Sequence, residues 1–149
     1  MSEKAPTIDQ REIQRLVLEY QYLRQLLDTI TQQIRLLNAN RAELIKTKET
    51  LEAIKSTRKD TEALVPIGTG VHLYVTLHNV ESVLVEIGHR YLMECDINKA
   101  EEYINKRIQE VDETLKKLQR DGANVSKRLS EITPLLQRYL GGQGSQNVQ

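Results

Sequence analysis

The amino-acid sequence contains no Phe and no Trp, and six Tyr are its only aromatic residues. Large aromatic side chains fill much of the interior of a compact domain, so their scarcity disfavours an ordinary globular enzyme. A length of 149 residues suffices for one domain and leaves little room for a second core. With 39% hydrophobic and 28% charged residues, the chain is too apolar to be disordered and has the composition of long amphipathic helices. A coiled coil is the leading fold class.

Cysteine, one-sided charge and long apolar runs are also scarce. The single Cys95 cannot form an intramolecular disulfide, which favours a reducing, cytoplasmic location. The 21 basic and 21 acidic residues cancel, and segments 1–60, 61–96 and 97–149 hold +11/−9, +1/−5 and +9/−7 charges. No segment is strongly basic, so neither nucleic acid nor an anionic membrane is an expected partner. The N-terminal residues lack an apolar signal core and no stretch approaches the roughly 18 apolar residues of a membrane span, so a soluble, unsecreted protein is expected.

The first third of the chain shows a heptad seam, because its apolar residues recur in alternating steps of three and four. With Ile13 at position a, the a row holds Ile13, Tyr20, Leu27, Ile34, Arg41 and Lys48, and the d row holds Leu16, Leu23, Ile30, Leu37, Leu44 and Leu51. Arg41 and Lys48 are costly in a tight seam unless their charged heads reach water, so looser helix pairing is expected around them. Thr7 and Gln10 have the spacing of a capping box, which predicts the start of this helix.

The last third of the chain shows a second seam of similar length, formed by Ile97, Ile104, Ile108, Val111, Leu115, Leu118, Val125, Leu129, Ile132, Leu136 and Tyr139. Asp96 is its predicted N-cap, and Gly141 and Gly142 are expected to end it before a disordered tail. Gly122 falls on a seam position and leaves a hole, while Thr133-Pro134 has the N-cap and N1 arrangement of a new helix. The last turns are therefore expected to be hinged or frayed. The alternative is a tolerated packing defect at Gly122 and a simple kink at Pro134.

Between the seams the apolar residues alternate with polar ones, which is the pattern of β-strands. Two alternating faces hold Val71, Leu73, Val75 and Leu77, then Val83, Val85 and Ile87. Segments 64–67 and 91–94 are β-prone as well, and turn residues separate the strands. The sequence therefore predicts two β-hairpins in tandem. Pro66 cannot donate a ladder hydrogen bond, so its strand is expected at a sheet edge or with its nitrogen outward.

The two predicted helices must return antiparallel, and the four short strands have apolar faces with too little protein to cover them. The predicted fold class is α+β: a long antiparallel two-helix coiled coil with two central β-hairpins that assemble with those of other subunits into an intersubunit β-barrel. We expect a single domain over 1–149. It comprises the N-terminal coiled-coil helix in 1–60, the hairpins and oligomerisation in 61–96, the C-terminal coiled-coil helix in 97–140 and the disordered tail in 141–149.

Three stretches carry a resemblance to a known family. They are Leu64-Val65-Pro66-Ile67-Gly68-Thr69-Gly70, Val83-Leu84-Val85-Glu86-Ile87-Gly88-His89-Arg90-Tyr91 and Asp96-Ile97-Asn98-Lys99-Ala100. Placed between two heptad arms, they make essentially the whole chain resemble the α-type subunit of archaeal-type hexameric prefoldin. Two hairpins, rather than the single hairpin of a β-type subunit, are the α-like feature. Arg90 departs from the pattern, since it stands where the family usually has Gly.

The resemblance implies a hexamer of two α-type and four β-type prefoldin subunits, with the hairpins in a double barrel from which coiled coils hang. It also implies an ATP-independent chaperone, or holdase, that captures unfolded client proteins at the coiled-coil tips. These clients would be delivered to a group II chaperonin, the kind found in archaea and the eukaryotic cytosol. One alternative is a structural coiled-coil adaptor or a filament-forming prefoldin-like subunit. Another is a helical-arm RNA binder, against which the balanced charge argues.

The predicted functional surfaces are the free ends of the arms and the alternating strand faces. Near the free ends lie apolar residues outside a strict a/d row, which a two-stranded seam leaves in water. The predicted client-binding tips are Ile8, Ile13, Leu16, Val17, Leu18, Leu135, Leu136, Tyr139 and Leu140. The alternative is that these residues merely widen the coiled-coil core. The predicted oligomer interface comprises Leu64, Val65, Ile67, Val71, Leu73, Val75, Leu77, Val83, Val85 and Ile87.

No catalytic, cofactor-binding or metal-binding residue is assigned. His72, His78 and Cys95 make a metal site conceivable, but their spacing matches no recurring ligand pattern and solvated histidines are the stronger interpretation. The sequence offers no paired catalytic carboxylates and no activated nucleophile. Gly68-Thr69-Gly70 precedes no helix and lacks the lysine of a phosphate-binding loop. An enzyme is therefore not expected.

Overall fold

A computed structural model of the chain describes residues 9–141. Two long helices flank four short strands in the order α1 (Gln10–Lys55), β1 (Thr61–Gly68), β2 (Val71–Leu77), β3 (Ser82–Gly88), β4 (Tyr91–Asp96) and α2 (Ile97–Gly141). This order confirms the predicted arrangement of helix, two hairpins and helix. Within residues 9–141, neither helix contains an apolar stretch that would carry it across a membrane. Ile8 of the predicted tips, Thr7 of the capping box and the tail from Gly142 lie outside the described residues.

The chain divides into two compact units. The terminal unit combines the chain up to Leu37 with the chain from Thr114 onward, and the hairpin unit runs from Asn38 to Glu113. Each unit contains part of α1 and part of α2, and the hairpin unit also contains all four strands.

The core of the terminal unit lies along the predicted seam. Ile30, Val125 and Leu129 form a buried cluster. Its half-buried neighbours are Tyr20, Leu23, Leu26, Leu27, Ile34 and Leu118. Further along α2, Ile132 is completely buried. The seam read from the sequence is therefore the surface through which the two helices of this unit pack.

Gly122 leaves no hole in this core, and that prediction was wrong. A Cβ atom built on Gly122 would lie 3.4 Å from Cγ2 of Ile30. The buried Ile30 side chain therefore fills the space above the bare glycine backbone. The missing side chain permits a close approach of the two helices rather than weakening their contact.

The expected helix restart at Pro134 was also wrong, since α2 continues to Gly141. The Thr133 hydroxyl donates to the Leu129 carbonyl at 2.7 Å, one turn earlier in the same helix, and does not cap a new one. A proline removes one helical N–H and crowds the carbonyl four residues before it. Buried seam residues on both sides of Pro134, Ile132 and Leu136, hold this turn in place.

The helix pair in the hairpin unit stays tightly packed around the two charged seam positions. Arg41 donates from Nε to Asp112 Oδ1 at 2.5 Å, across from α1 to α2. Lys48 is half-buried, and Leu44 and Val111 are buried. The looser pairing expected here is not observed, because the carboxylate of Asp112 provides the partner that the guanidinium needs within the seam.

The helix ends follow ordinary capping chemistry. Asp96 Oδ1 accepts a hydrogen bond from the backbone N–H of Lys99 at 2.8 Å, which confirms Asp96 as the N-cap of α2. At the start of α1, Asp9 Oδ1 accepts one from the Arg11 N–H at 3.3 Å. The helix α1 ends at Lys55, before the expected limit at residue 60.

Each hairpin is a separate two-stranded antiparallel sheet, β1 with β2 and β3 with β4. The central cross-strand pairs are Ala63 with Val75 and Val65 with Leu73 in the first sheet, and Val83 with Cys95 and Val85 with Met93 in the second. The register shifts beside each turn, before Gly68 and before Gly88. Neither sheet has a third strand within the described residues.

The second hairpin turn keeps its geometry despite Arg90. His89 and Arg90 have φ values of 47° and 64°, in the left-handed region, and Gly88 has a φ of 121°. Two central residues with positive φ match the twist of a hairpin's strands. The chain therefore places an arginine in a conformation that glycine adopts more easily.

Candidate functional site

The terminal unit carries an open cleft where α1 begins and α2 ends. Its volume is about 520 Å³, and it is lined by Val17, Tyr20, Gln21, Thr133, Leu136, Gln137, Leu140 and Gly141. Leu136 is buried, whereas Leu140 is 58% exposed. We call this group the tip cleft. An apolar surface bordered by two side-chain amides is suited to hold an apolar side chain and to hydrogen-bond the backbone that carries it.

The tip cleft gathers only some of the predicted tip residues. Val17, Leu136 and Leu140 line it, and Ile13, Leu16 and Tyr139 are half-buried elsewhere. Leu18 and Leu135 are exposed and do not line it. Sequence reasoning missed Tyr20, Gln21, Thr133 and Gln137, because it considered only apolar positions and treated Tyr20 as a seam residue. The signal was present in the three- and four-residue steps from Val17 to Tyr20 and Gln21, and from Thr133 to Leu136 and Gln137.

A bidentate ion pair links α1 to α2 in the terminal unit. Arg128 donates from Nε to Glu19 Oε1 at 2.7 Å and from Nη2 to Glu19 Oε2 at 3.1 Å, and from Nη1 to Glu131 at 3.4 Å. The hydrogen bonds from Arg128 hold the pKa of Glu19 below its ordinary value, against a smaller opposing effect of desolvation, and the charges of Arg128 and Arg15 add to the lowering. The ion pair therefore joins the two helices of the terminal unit, although neither Glu19 nor Arg128 lines the tip cleft.

The first hairpin exposes apolar side chains on both of its faces. Val65 and Leu73 are paired neighbours on one face and are both exposed. Leu64 pairs with Tyr74 on the opposite face, and both are also exposed. Such a two-sided apolar hairpin is unusual for a surface that faces only water.

The second hairpin packs one face on its own chain. Val83 and Val85, predicted as oligomer contacts, are half-buried, and both line a cleft with Tyr103 of α2. The Tyr103 hydroxyl donates to the Glu86 carbonyl at 3.3 Å. On the opposite face Leu84 is 63% exposed.

The exposed face of the second hairpin carries two leucines. Leu92, in β4, is 61% exposed and lies on the same face as Leu84. Sequence reasoning missed both leucines, because the alternation favoured the valine face. Of the other predicted contacts, Ile67, Val71 and Ile87 are exposed, and Val75 and Leu77 are half-buried.

Within residues 9–141, no three His, Cys, Asp or Glu side chains converge where a metal ion would bind. His78 Nδ1 lies 3.8 Å from Asp60 Oδ1, and both side chains are exposed. His72 and Cys95 belong to different sheets.

The chain is similar in sequence to a known protein family. The prefoldin family model, described as prefoldin subunit, matches residues 23–141. The chain belongs to the prefoldin family. It is 35% identical over 123 residues to the prefoldin subunit alpha of Pyrococcus horikoshii, which covers 82% of this chain and 83% of the relative. It is 31% identical over 119 residues to the prefoldin subunit alpha of Thermofilum pendens, which covers 80% of this chain and 92% of the relative.

Solved structures show the same fold. The filamentous PFD from Methanocaldococcus jannaschii, determined by cryo-EM, matches with a TM-score of 0.67 at 20% identity, covering 81% of this chain and 98% of that chain. The prefoldin beta subunit from Thermococcus strain KS-1 matches with a TM-score of 0.53 at 18% identity, covering 94% of this chain and 97% of that chain. Family membership supports a chaperone-type subunit that assembles with other prefoldin subunits.

Proposed function

We propose that the chain is the α-type subunit of an ATP-independent chaperone, a holdase that captures unfolded client proteins at the ends of its coiled coil and delivers them to a group II chaperonin. The observation that carries the proposal is the tip cleft, an open apolar surface at the helix ends. An unfolded chain offers apolar side chains on a backbone with free hydrogen-bonding groups. The leucines of the cleft can contact the apolar side chains of the client, and the amides of Gln21 and Gln137 can hydrogen-bond its backbone.

Assembly completes the proposed site. The exposed apolar side chains of the hairpins support their joining β-type subunits, two α with four β, with the hairpins closed into an intersubunit β-barrel that removes the free strand edges. Several arms presented together then hold one client. Each weak contact raises the effective concentration for the next, so a client is held more tightly than by a single arm.

The test compares reconstituted complexes that differ only in this subunit. Val17→Ser combined with Leu140→Ser removes two apolar side chains from the tip cleft. The matched control, Tyr22→Ser combined with Leu36→Ser, removes two exposed apolar side chains outside it. We expect the cleft variant to require about two to five times more complex to suppress aggregation of a denatured protein, because each lost apolar contact costs about 1 kcal/mol and the β-type arms remain.

The control complex should match the wild type in this assay. Equal suppression by wild type and cleft variant across a concentration series would overturn the role of the tip cleft. Native mass measurement of each complex confirms that all three forms assemble alike.

A filament-forming structural subunit remains the second candidate, supported by the fold shared with the filamentous PFD. Electron microscopy of the chain alone and with β-type subunits separates the two. Discrete particles that require β-type subunits favour the chaperone. Fibres that grow from this chain alone favour the structural role.

A further inference from the structure

The balanced net charge of the chain conceals a division between its two units. In the terminal unit, residues 9–37 carry four basic and four acidic side chains, and residues 114–141 carry six basic and two acidic ones. The hairpin unit, residues 38–113, carries ten basic and fourteen acidic side chains. The described terminal unit is therefore net basic through its α2 segment, and the hairpin unit is net acidic.

The excess positive charge is concentrated on one exposed side of α2. Lys116, Arg120 and Lys127 lie four and seven residues apart, so they share a side of the helix, and Lys117 adjoins them. We call these four residues the basic stripe. All four are exposed, and none forms an ion pair with another residue in the part of the chain that the structure describes. By contrast, the nearby Arg128 is paired with Glu19.

The basic stripe lies on the outward side of α2, and an uncharged track along the helix connects it with the tip cleft, which lies beside the seam. A shallow depression lined by Lys116, Gln119, Arg120 and Ala123 marks the stripe. From there, steps of three and four residues along α2 lead to the cleft through Gln119, Ala123, Ser126, Ser130, Thr133 and Gln137. These residues are uncharged, and most are small. Lys116 and Thr133 are about 26 Å apart along a helix, a span that roughly eight residues of extended chain would cover.

We propose that the terminal unit selects unfolded segments in which acidic residues accompany apolar ones. This inference rests on the proposed function and names its preferred client. The apolar side chains occupy the tip cleft while the acidic side chains lie along the basic stripe, where unpaired cations give the favourable charge. A protein segment fits better than a nucleic acid, because the stripe contains no aromatic side chain for base stacking and leads into an apolar cleft.

The test uses two fluorescent unfolded peptides of equal length and apolar content, one with four Glu residues and the other with Gln at the same positions. The complex reconstituted with β-type subunits carries either the wild-type chain or a stripe variant in which Lys116, Lys117, Arg120 and Lys127 are all replaced by Gln. A matched control replaces Lys46, Arg58, Lys59 and Lys106 by Gln, which removes the same charge from exposed positions in the hairpin unit. Affinities are measured by fluorescence anisotropy at low and high salt.

We expect the wild-type and control complexes to bind the Glu peptide about three to ten times more tightly than the Gln peptide at low salt, since exposed charge pairs contribute a few tenths of a kcal/mol each. The stripe variant should bind both peptides alike, with unchanged affinity for the Gln peptide. Equal binding of the two peptides by the wild type, or a preference that survives in the stripe variant, would overturn the inference. A single-stranded oligonucleotide and the unlabelled Glu peptide are then compared as competitors of the fluorescent Glu peptide. Displacement by the oligonucleotide at the lower concentration would overturn the inference in favour of nucleic acid.

Failure of the wild type to bind either peptide would instead contradict the proposed function. Charge selection and client holding are therefore tested separately, because binding of the Gln peptide does not depend on the charge of the basic stripe.

Discussion

At the scale of single residues, the second hairpin turn shows how a local conformation is retained at a cost. His89 and Arg90 both have positive φ. A residue with a side chain is disfavoured in this region by about 1–2 kcal/mol, because its Cβ approaches the following carbonyl oxygen. The antiparallel pairing of β3 with β4 holds the turn in place, since the register around it leaves few other ways to reverse the chain.

Replacing Arg90 by Gly should therefore stabilise the protein. We expect Arg90→Gly to raise the free energy of unfolding by about 0.5–1 kcal/mol. The substitution relieves backbone strain in the folded state, and the greater conformational entropy of glycine in the unfolded chain offsets part of that gain. Urea denaturation followed by circular dichroism measures the change. The control is Gly70→Ala, where φ is 73° and no other atom lies within 4 Å of the added Cβ. That variant should lose about 1 kcal/mol from the backbone alone, and a destabilised Arg90→Gly protein would contradict the argument.

At the scale of helices, one ion pair makes the packing of the terminal unit depend on pH. The folded pKa of Glu19 lies below its ordinary value of 4.5, mainly through its hydrogen bonds from Arg128. The stabilisation from this pair is therefore fully present above about pH 4.5. It is lost as the pH falls through the lower folded pKa, where the carboxylate becomes protonated.

The variant Glu19→Gln should reproduce the acid form at every pH. We expect its melting temperature to lie below that of the wild type at pH 7, and the difference to shrink as the pH falls below 4.5. Thermal unfolding monitored by circular dichroism from about pH 3 to pH 7 gives this comparison. Glu131→Gln leaves both Glu19 hydrogen bonds in place and should have the smaller effect at pH 7. A difference for Glu19→Gln that is the same at every pH would exclude this ion pair as the cause.

The sequence predicted the helices, the hairpins and the Asp96 cap because each leaves a local periodic or capping signal. It did not predict contacts that depend on what lies opposite. The sequence suggested a packing defect at Gly122, but the Ile30 side chain on the other helix fills the space beside it. Likewise, alternation alone separated the two faces of the second hairpin but did not show that Val83 and Val85 are half-buried while Leu84 remains exposed.

The tip cleft was half predicted for the same reason. Val17 and Leu140 stood out as apolar residues outside the seam rows. Gln21 and Gln137 did not, because polar residues on a helix surface carry no signal of their own until a neighbouring helix places them beside a cleft. The difference in net charge between the terminal unit and the hairpin unit was also missed. Charges were counted over 1–60, 61–96 and 97–149, which follow the predicted elements, whereas each compact unit combines parts of both helices.

At the scale of the whole molecule, the proposed assembly depends on the hairpins. Val65 and Leu73 are cross-strand neighbours and both are exposed in the single chain. We expect Val65→Asp with Leu73→Asp to block assembly with β-type subunits, because a buried unpaired charge costs several kcal/mol. Helix content measured by circular dichroism should persist, and native mass measurement should show the loss of the complex.

Charges placed on an exposed helix surface outside the hairpins provide the control for this prediction. Gln32→Asp with Gln33→Asp adds the same charge at exposed positions of α1 and should leave the complex intact. A complex that forms normally with Val65→Asp and Leu73→Asp would place the assembly surface elsewhere.

The exposed hairpins also bear on the solubility of the free subunit. The formal net charge at pH 7 is zero, and the sequence pI is about 6.8, so long-range repulsion between copies is weakest near neutral pH. The same molecule exposes Leu64, Leu84 and Leu92 on strands with free edges. Overproduced without partners, the chain should therefore precipitate most readily around neutral pH. A subunit proposed to keep other proteins in solution would then need its own partner subunits, made in matched amounts, to stay in solution itself.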